Sequence, residues 1–161
     1  MSALTQFDKD WCQRKLAELN KWALTTPFRY PVDPVRDGAE RYLEIVTNPM
    51  DLNTMKKKLT DNVYKTVDEF VQDVHLISDN AIKFNGENSM YAFIATDMKT
   101  WIDEQYKQKA TSIEDEWHRK LTDVVERLLD HVKNAPIHYR GEGAAALAQA
   151  ATAMAAAPPS A

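Results

Sequence analysis

The sequence predicts an all-α protein whose helices form a bundle. Apolar residues recur at three- and four-residue steps in four successive segments, which is the pattern of helices that bury one face. No segment shows the two-residue alternation of a half-buried strand, and no Asn-Gly turn joins two strand-like segments. The 161 residues are enough for one domain with a single core.

The first predicted helix runs from about Phe7 to Thr25, and Pro27 would end it. Its apolar positions are Trp11, Leu16, Leu19, Trp22 and Ala23. A connection of more than twenty residues follows, and its prolines exclude a continuous helix. The connection is too apolar for disorder, so we expect it to pack on the domain and to help build a site. Its apolar residues are Phe28, Tyr30, Val32, Val35, Tyr42, Leu43, Ile45, Val46 and Met50.

Two further helices are predicted after this connection. A short one runs from about Leu52 to Leu59. Thr66 then begins a longer helix, since Glu69 three residues later completes a capping-box pattern. The buried face of the longer helix would hold Val67, Phe70, Val71, Val74, Ile77, Ala81 and Phe84.

Asn85 comes one residue after the last apolar position of this helix, and Gly86 would end the helix. The amide is therefore placed at the rim of the core, where we expect it to be partly shielded from water. It can donate and accept hydrogen bonds without carrying a charge, which suits a neutral amide ligand. The helix alone favours a simple capping role for Asn85 over a ligand-binding role.

Ser89 would cap a fourth helix, whose buried face includes Tyr91, Ala95 and Trp101. A further amphipathic segment spans about Ser112 to Val132, with Thr111 and Glu114 as a second capping-box pattern. Two alternatives remain open for this segment. It can dock on its own bundle as a fifth helix, or it can pair with another chain, for example in a homodimer.

Composition limits the class of partner. The net charge of −4 disfavours direct nucleic-acid binding and suits a basic partner. The single cysteine, Cys12, allows no internal disulfide and no cysteine zinc cluster, which fits a reduced intracellular compartment. The N-terminal sequence has no signal-peptide core and no apolar run is long enough to span a bilayer, so we expect no membrane partner.

Catalysis is disfavoured by the motifs that are missing. No two of the histidines His75, His118, His131 and His138 have the helical spacing of a metal-binding pair. The sequence contains no phosphate-binding glycine loop, no dinucleotide fingerprint and no nucleophile elbow. We therefore expect no enzyme activity, no metal and no cofactor, which leaves a binding module or a helical scaffold.

The segment from roughly Leu16 to Tyr106 carries a series of motifs in a fixed order: Pro27-Phe28, Pro31-Val32-Asp33, Tyr42-Leu43-Glu44-Ile45, Asn48-Pro49-Met50-Asp51-Leu52, Tyr64, Glu69-Phe70, Asp73-Val74, Asn80-Ala81, Phe84-Asn85 and Tyr91. In these motifs and in their order the chain resembles the bromodomain family. The resemblance implies a left-handed four-helix bundle with a long loop between its first two helices. The segment Ser112–Val132 would add a C-terminal helix.

The resemblance also implies roles for individual residues. Asn85 resembles the asparagine that hydrogen-bonds the carbonyl of an acetylated lysine. Tyr42 resembles the loop tyrosine that reaches the same carbonyl through a water. Phe28 and Val32, beside Pro27, resemble the wall that meets the acetyl methyl group.

Other positions match the family pattern less closely. Tyr91 takes the position of the family's gatekeeper, and Phe84 replaces an aromatic residue that is often tyrosine. Thr26 stands where an aromatic residue often precedes the proline, so a hydrophobic shelf would be weaker. Asp37 and Ala39 stand where apolar side chains commonly line the mouth of the site.

The resemblance thus implies an acetyl-lysine reader that binds acetylated lysine peptides of histone tails in the nucleus and supports transcription regulation. The domain boundaries expected are residues 1–110 for the bromodomain, 111–134 for the C-terminal helix and 135–161 for an alanine-rich tail. The alternative function is a helical scaffold or dimerisation protein that acts through the C-terminal helix.

Overall fold

A computed structural model describes residues 4–134 together with the isolated residues 149 and 153. The predicted tail 135–161 otherwise lies outside the described residues. Within residues 4–134 the regular structure is helical and contains no β-strand, so the predicted all-α class is confirmed. The chain divides into two compact units, Met1–Lys109 and Ala110–Ala161.

The first unit is a four-helix bundle with a long connection. Its four long helices are α1, α3, α4 and α5, and a single-turn helix α2 lies in the connection. The bounds are α1 Gln6–Lys21, a 3₁₀ helix Ala23–Phe28, α2 Tyr42–Ile45, α3 Leu52–Thr60, α4 Val67–Asn85 and α5 Met90–Lys107. We call residues 22–51 the loop segment.

Each long helix of the bundle begins at a side chain that caps it. Such a cap satisfies backbone N–H groups that have no partner within the helix. The predicted caps Thr66 and Ser89 are confirmed, since they accept from the N–H groups of Glu69 and Ala92. The other two caps are Thr5 for α1 and Asp51 for α3.

The core of the bundle surrounds α4, whose apolar face is almost entirely buried. Phe70 lies at its centre and meets the rings of Trp11 and Tyr64 edge-on, at centroid distances of 6.4 and 5.8 Å. Edge-to-face contacts of this kind add to the stabilisation that comes from burial. The core therefore fixes α4, the helix that ends in Asn85.

The predicted end of the first helix at Thr25 is wrong, because α1 ends at Lys21. Trp22 is extended, and a 3₁₀ helix then carries the chain to Phe28. The buried Thr25 hydroxyl donates to the Leu19 carbonyl at 2.7 Å and so caps the end of α1 from outside the helix. The apolar spacing continues past this break, which is why the pattern overextends the helix.

The second unit contains α6, Ile113–Asn134. The predicted capping pair of Thr111 and Glu114 is wrong by one residue. Ser112 Oγ accepts from the Asp115 N–H at 3.1 Å, and the Asp115 carboxylate accepts from the Thr111 N–H at 2.9 Å. Among the described residues, no helix has the length and apolarity needed to cross a membrane.

A buried polar contact joins the chain before α4 to the middle of that helix. The Tyr64 hydroxyl donates to Asp73 Oδ2 at 2.6 Å, and the Lys58 ammonium binds the same oxygen. Tyr64 is 2% exposed, and burial together with the Asp73 carboxylate raises the pKa of Tyr64 far above its ordinary range. The phenol therefore stays a hydrogen-bond donor at any physiological pH.

We expect Tyr64→Phe to lower the free energy of unfolding by about 1.5–3 kcal/mol, because the buried carboxylate loses a donor. Urea unfolding of the purified chain measures this change. Tyr106→Phe is the matched control, since Tyr106 is 38% exposed. Equal unfolding free energies for the two variants would contradict a stabilising role for the Tyr64 bond.

Candidate functional site

A cavity of about 390 Å³ lies between the loop segment and the C-terminal half of α4. All eight residues predicted from the sequence line this cavity: Pro27, Phe28, Val32, Ala39, Tyr42, Phe84, Asn85 and Tyr91. Its size lies within the range of small-ligand pockets in proteins. The fold thus brings together residues that are up to 64 positions apart in the sequence (from Pro27 to Tyr91).

Asn85 is the last residue of α4. Gly86 follows with φ at +83°, a conformation that favours glycine, and its N–H donates to the Ile82 carbonyl at 2.8 Å. Asn85 Nδ2 donates to the Ala81 carbonyl at 3.0 Å. This bond orients the amide and uses one of its two hydrogens, so capping of the helix and binding of a ligand are compatible roles.

Asn85 is an exposed residue, but the hydrogen bond of its amide to the Ala81 carbonyl is partly buried, so the amide is shielded only in part. The physical reason is its position one residue beyond the apolar face of α4, at the edge of the cavity. Among residues 4–134, its second amide hydrogen and its oxygen have no partner. Asn85 therefore offers one oriented donor and one acceptor at the cavity.

Tyr42 is buried at the start of α2, and its ring meets Phe84 edge-on at a centroid distance of 5.1 Å. No described residue hydrogen-bonds its hydroxyl, which argues against a purely structural tyrosine. Burial raises the pKa of Tyr42, and the Asp51 carboxylate raises it further. The phenol is therefore neutral at physiological pH and can donate to a ligand or a water.

Two apolar clusters meet at the cavity. Phe28 packs against the main core of the bundle. Val32 and Phe84 pack against a smaller cluster of Ala39, Tyr42 and Val46. The lining of the cavity is thus partly aliphatic and aromatic and partly polar.

The loop beside Val32 is closed on itself by two aspartates. Asp33 Oδ1 accepts from the N–H groups of Val35 and Arg36, both at 3.0 Å. Asp37 Oδ2 accepts from the Asp33 N–H at 2.9 Å. The Arg36 guanidinium binds both oxygens of Asp37, through Nε at 2.7 Å and through Nη2 at 2.8 Å. Such a bidentate ion pair fixes the relative orientation of the two side chains better than a single hydrogen bond does.

The same loop ends at Gly38, whose φ is +65°. After this left-handed residue the Ala39 N–H donates to the Pro34 carbonyl at 2.9 Å. Ala39 is thereby turned inward and is 7% exposed. The Asp33–Gly38 turn is a capped unit that presents Val32 and Ala39 to the cavity.

The loop segment is tied to α4 by Asn80, a buried residue five positions before Asn85. Asn80 Nδ2 donates to the Asn48 carbonyl at 2.8 Å. A second tie joins the segment to α3, where the Asn53 N–H donates to the Arg29 carbonyl at 3.1 Å. Both ends of the segment are therefore held at the cavity.

A comparison with known protein families identifies the fold that carries this site. The family model described as Bromodomain matches residues 12–97, more than half of the chain. The chain belongs to the bromodomain family. Bromodomains are binding modules. All eight predicted cavity residues lie within the matched range.

Relatives with known names support the same family. This chain is 34% identical over 98 residues to the SWR1 complex bromodomain subunit bdf1 of Schizosaccharomyces pombe. The aligned residues cover 61% of this chain and 17% of that protein. It is 43% identical over 63 residues to Bromodomain-containing factor 2 of Saccharomyces cerevisiae, covering 39% of this chain and 10% of that protein. The chain thus spans less than a fifth of the length of either relative.

Solved structures give the same fold. The second bromodomain of Candida albicans Bdf1, bound to an imidazopyridine, is similar with a TM-score of 0.59 and 31% sequence identity. The similarity covers 63% of this chain and 98% of that one. The unbound form of the same domain is equally similar, with a TM-score of 0.59.

Several residues of this bromodomain's cavity were not predicted as site residues from the sequence. Ile77 and Ala81 lie on the buried face of α4 that also carries Phe84, so helical spacing could have assigned them. Met50 lies in a motif that was noted, next to the cap of α3. Tyr30 and Arg36 line the mouth, and no spacing signal marks either, because their places depend on the loop conformation.

The Arg36 guanidinium and the Asp33 N–H lower the pKa of Asp37 from 3.8 to about 2. Because the pKa is lowered, the ionised Asp37 carboxylate stabilises the loop fully at a pH above the ordinary carboxyl pKa. This stabilisation is lost as the pH falls through about 2. We expect the Asp33 amide nitrogen shift in NMR spectra to stay constant from about pH 7 to about pH 4.

Arg36→Gln removes the larger cause, so the titration seen at the Asp33 amide should move up toward 3.8. Arg41→Gln is the matched control, because Arg41 binds Glu44 instead of Asp37. If Arg36→Gln and Arg41→Gln titrate alike, the Arg36–Asp37 contact does not hold the loop.

Proposed function

We propose that this bromodomain binds the side chain of acetylated lysine in the cavity between the loop segment and α4. The observation that carries the proposal is the Asn85 amide, which stands at the rim of an apolar cavity with one hydrogen already fixed on the Ala81 carbonyl. The other hydrogen is then positioned to donate to a carbonyl of a ligand. Tyr42 supplies a second neutral donor, a phenol hydroxyl, to the same cavity.

The chemistry of acetyl-lysine matches this arrangement. Acetylation replaces an ammonium by a methyl group, a carbonyl acceptor and an amide donor. The methyl group fits the walls formed by Phe28, Val32 and Phe84, and the carbonyl fits the amide of Asn85. An unmodified ammonium would lose its hydration against the same walls, which costs several kcal/mol without a charged partner. The cavity should therefore discriminate strongly between the two forms of lysine.

The expected affinity for a single acetyl-lysine is modest. Burial of ~100 Å² of apolar surface contributes ~2.5 kcal/mol. One hydrogen bond adds ~1 kcal/mol net. Once the free-energy cost of association is subtracted, little net binding free energy remains. Firm attachment therefore requires further contacts with the peptide or a second binding site.

The charge of the loop segment beside the cavity favours a basic peptide. Residues 31–44 carry four acidic side chains (Asp33, Asp37, Glu40 and Glu44) against two basic ones (Arg36 and Arg41), a net charge of −2. All six are exposed. Histone tails place lysine and arginine beside their acetylated positions, so we propose them as partners. The nuclear location and a role in transcription regulation belong to this proposal.

We expect Asn85→Ala to weaken binding of an acetyl-lysine peptide at least about tenfold, which corresponds to about 1.4 kcal/mol, because the donor is lost. Isothermal titration calorimetry measures the affinity. Asn85→Asp should abolish binding, since a carboxylate cannot donate to the carbonyl and repels it.

Asn20→Ala is the matched control for this experiment. Asn20 Nδ2 donates to the Leu16 carbonyl at 2.9 Å, four residues earlier on α1, but Asn20 does not line the cavity. The control variant also loses a hydrogen bond from an asparagine side chain to a carbonyl of its own helix, and it should bind the acetyl-lysine peptide with the affinity of the wild type. Binding that is indifferent to Asn85→Ala, or to acetylation itself, would favour the scaffold function instead.

The acidic residues of the loop segment lead to a separate expectation about salt. Affinity for an acetylated peptide with basic flanks should fall several-fold between about 0.01 M and about 1 M salt, where the screening length falls from about 30 to about 3 Å. The same peptide with neutral flanks should show little change. An identical salt dependence for both peptides would remove the electrostatic argument for histone tails and leave the acetyl-lysine proposal intact.

A further inference from the structure

Helix α6 has an exposed apolar face that no part of the acetyl-lysine proposal uses. We call it the α6 stripe; its members are Ile113, Trp117, Leu121, Val124, Leu128 and Val132. Five of them are 47–69% exposed, and Val132 is half-buried. Val125, on the adjacent side of the helix, is buried, so the stripe is the apolar part of α6 that remains accessible. A continuous exposed face of this kind marks an interaction surface.

The spacing of the α6 stripe is the same in both directions along the helix. Successive members are separated by four, four, three, four and four residues. Two copies of α6 that run antiparallel about the point between Leu121 and Val124 therefore place apolar residues opposite apolar residues throughout. Leu121 faces Val124, and Trp117 faces Leu128. A two-fold axis produces each of these pairs twice, as self-complementary homodimer interfaces require.

The charges at the two ends of α6 favour the same direction. The first turn carries Glu114, Asp115 and Glu116, and the last turn carries His131 and Lys133. In an antiparallel pair the acidic turn of one copy lies beside the basic turn of the other, and the helix dipoles oppose each other favourably. A parallel pair would place acidic turns side by side, which disfavours it.

Three ion pairs within α6 balance part of the charge along the helix, and two of them involve acidic residues of its first turn. Arg119 binds Asp115 at 2.8 Å, and Lys120 binds Glu116 at 2.7 Å. Arg127 binds Asp123 in the same way. The 22 residues of α6 give about three heptads of contact, the length at which apolar seams begin to support stable pairs.

We propose that the chain forms a homodimer through antiparallel pairing of the α6 stripe with the stripe of a second copy. The occupant of the surface is thus this chain itself. The proposal is independent of acetyl-lysine binding, because α6 belongs to Ala110–Ala161 and the cavity to Met1–Lys109.

Sedimentation equilibrium of the full chain tests the dimer. The mass should rise with concentration from 18.4 kDa toward twice that value. Leu121→Glu combined with Val124→Glu puts charges at the centre of the stripe and should hold the mass at 18.4 kDa. Arg119→Glu changes the charge by the same amount on the opposite side of α6 and should still dimerise. A wild-type mass of 18.4 kDa at every concentration would overturn the proposal.

Circular dichroism shows whether the substitutions unfold α6, and both variants should keep the helical signal of the wild type. If the paired glutamates remove that signal, cross-linking decides the question on its own. Trp117→Cys and Leu128→Cys are prepared separately, and the natural Cys12 is fully buried and does not interfere.

Oxidation should link the two cysteine variants only when they are mixed, because antiparallel pairing places position 117 opposite position 128 of the other copy. Disulfide dimers formed by each variant alone would show parallel pairing and overturn the antiparallel arrangement. Absence of a link in the mixture would overturn the pairing altogether.

Discussion

The hydrogen bond from Asn80 to the Asn48 carbonyl is the contact on which the site depends. It ties a proline-rich segment, which cannot form one continuous helix, to the same helix that ends in Asn85. The packing of Tyr42 on Phe84 reinforces this tie a short distance away. Without it the end of the segment that precedes α3 would lose its direct hydrogen bond to α4, and the wall that the segment gives to the cavity would be held less firmly.

The polar groups of the site are each placed by a local constraint that serves the fold as well. The amide of Asn85 is oriented by its own helix, and Gly86 ends that helix directly behind it. The turn from Asp33 to Gly38 is closed by its own side chains, so it needs few contacts with the bundle. These constraints make the site largely preformed, which lowers the entropy cost of binding a small, weakly held ligand.

The bundle was predictable from the sequence because helical spacing and capping residues act locally. Thr66, Ser89 and Gly86 set helix boundaries where the sequence placed them. The end of α1 was not predictable, since the apolar spacing continues through Trp22 although the backbone becomes extended there. The caps of α6 were ambiguous, because two overlapping patterns compete and backbone geometry selects Ser112.

The residues of the candidate site likewise differ in whether the sequence could predict them. Residues on α4 follow from periodicity, and the resemblance to bromodomains supplied the cavity residues of the loop segment. Arg36 did not follow from either, because its position at the mouth arises from its paired contact with Asp37, which only the folded loop creates. The degree of exposure of Asn85 also depends on the folded structure, since a sequence pattern locates a residue on a helix but does not give its solvent access.

A crystal structure of the chain with N-ε-acetyl-lysine tests the central claim most directly. In this complex the acetyl carbonyl oxygen should lie within about 3 Å of Asn85 Nδ2, and the methyl group should lie against Phe28 and Val32. Asn85 should keep its bond to the Ala81 carbonyl in that complex. A ligand bound outside the cavity, or an Asn85 amide that makes no contact with the bound acetyl group, would contradict the account.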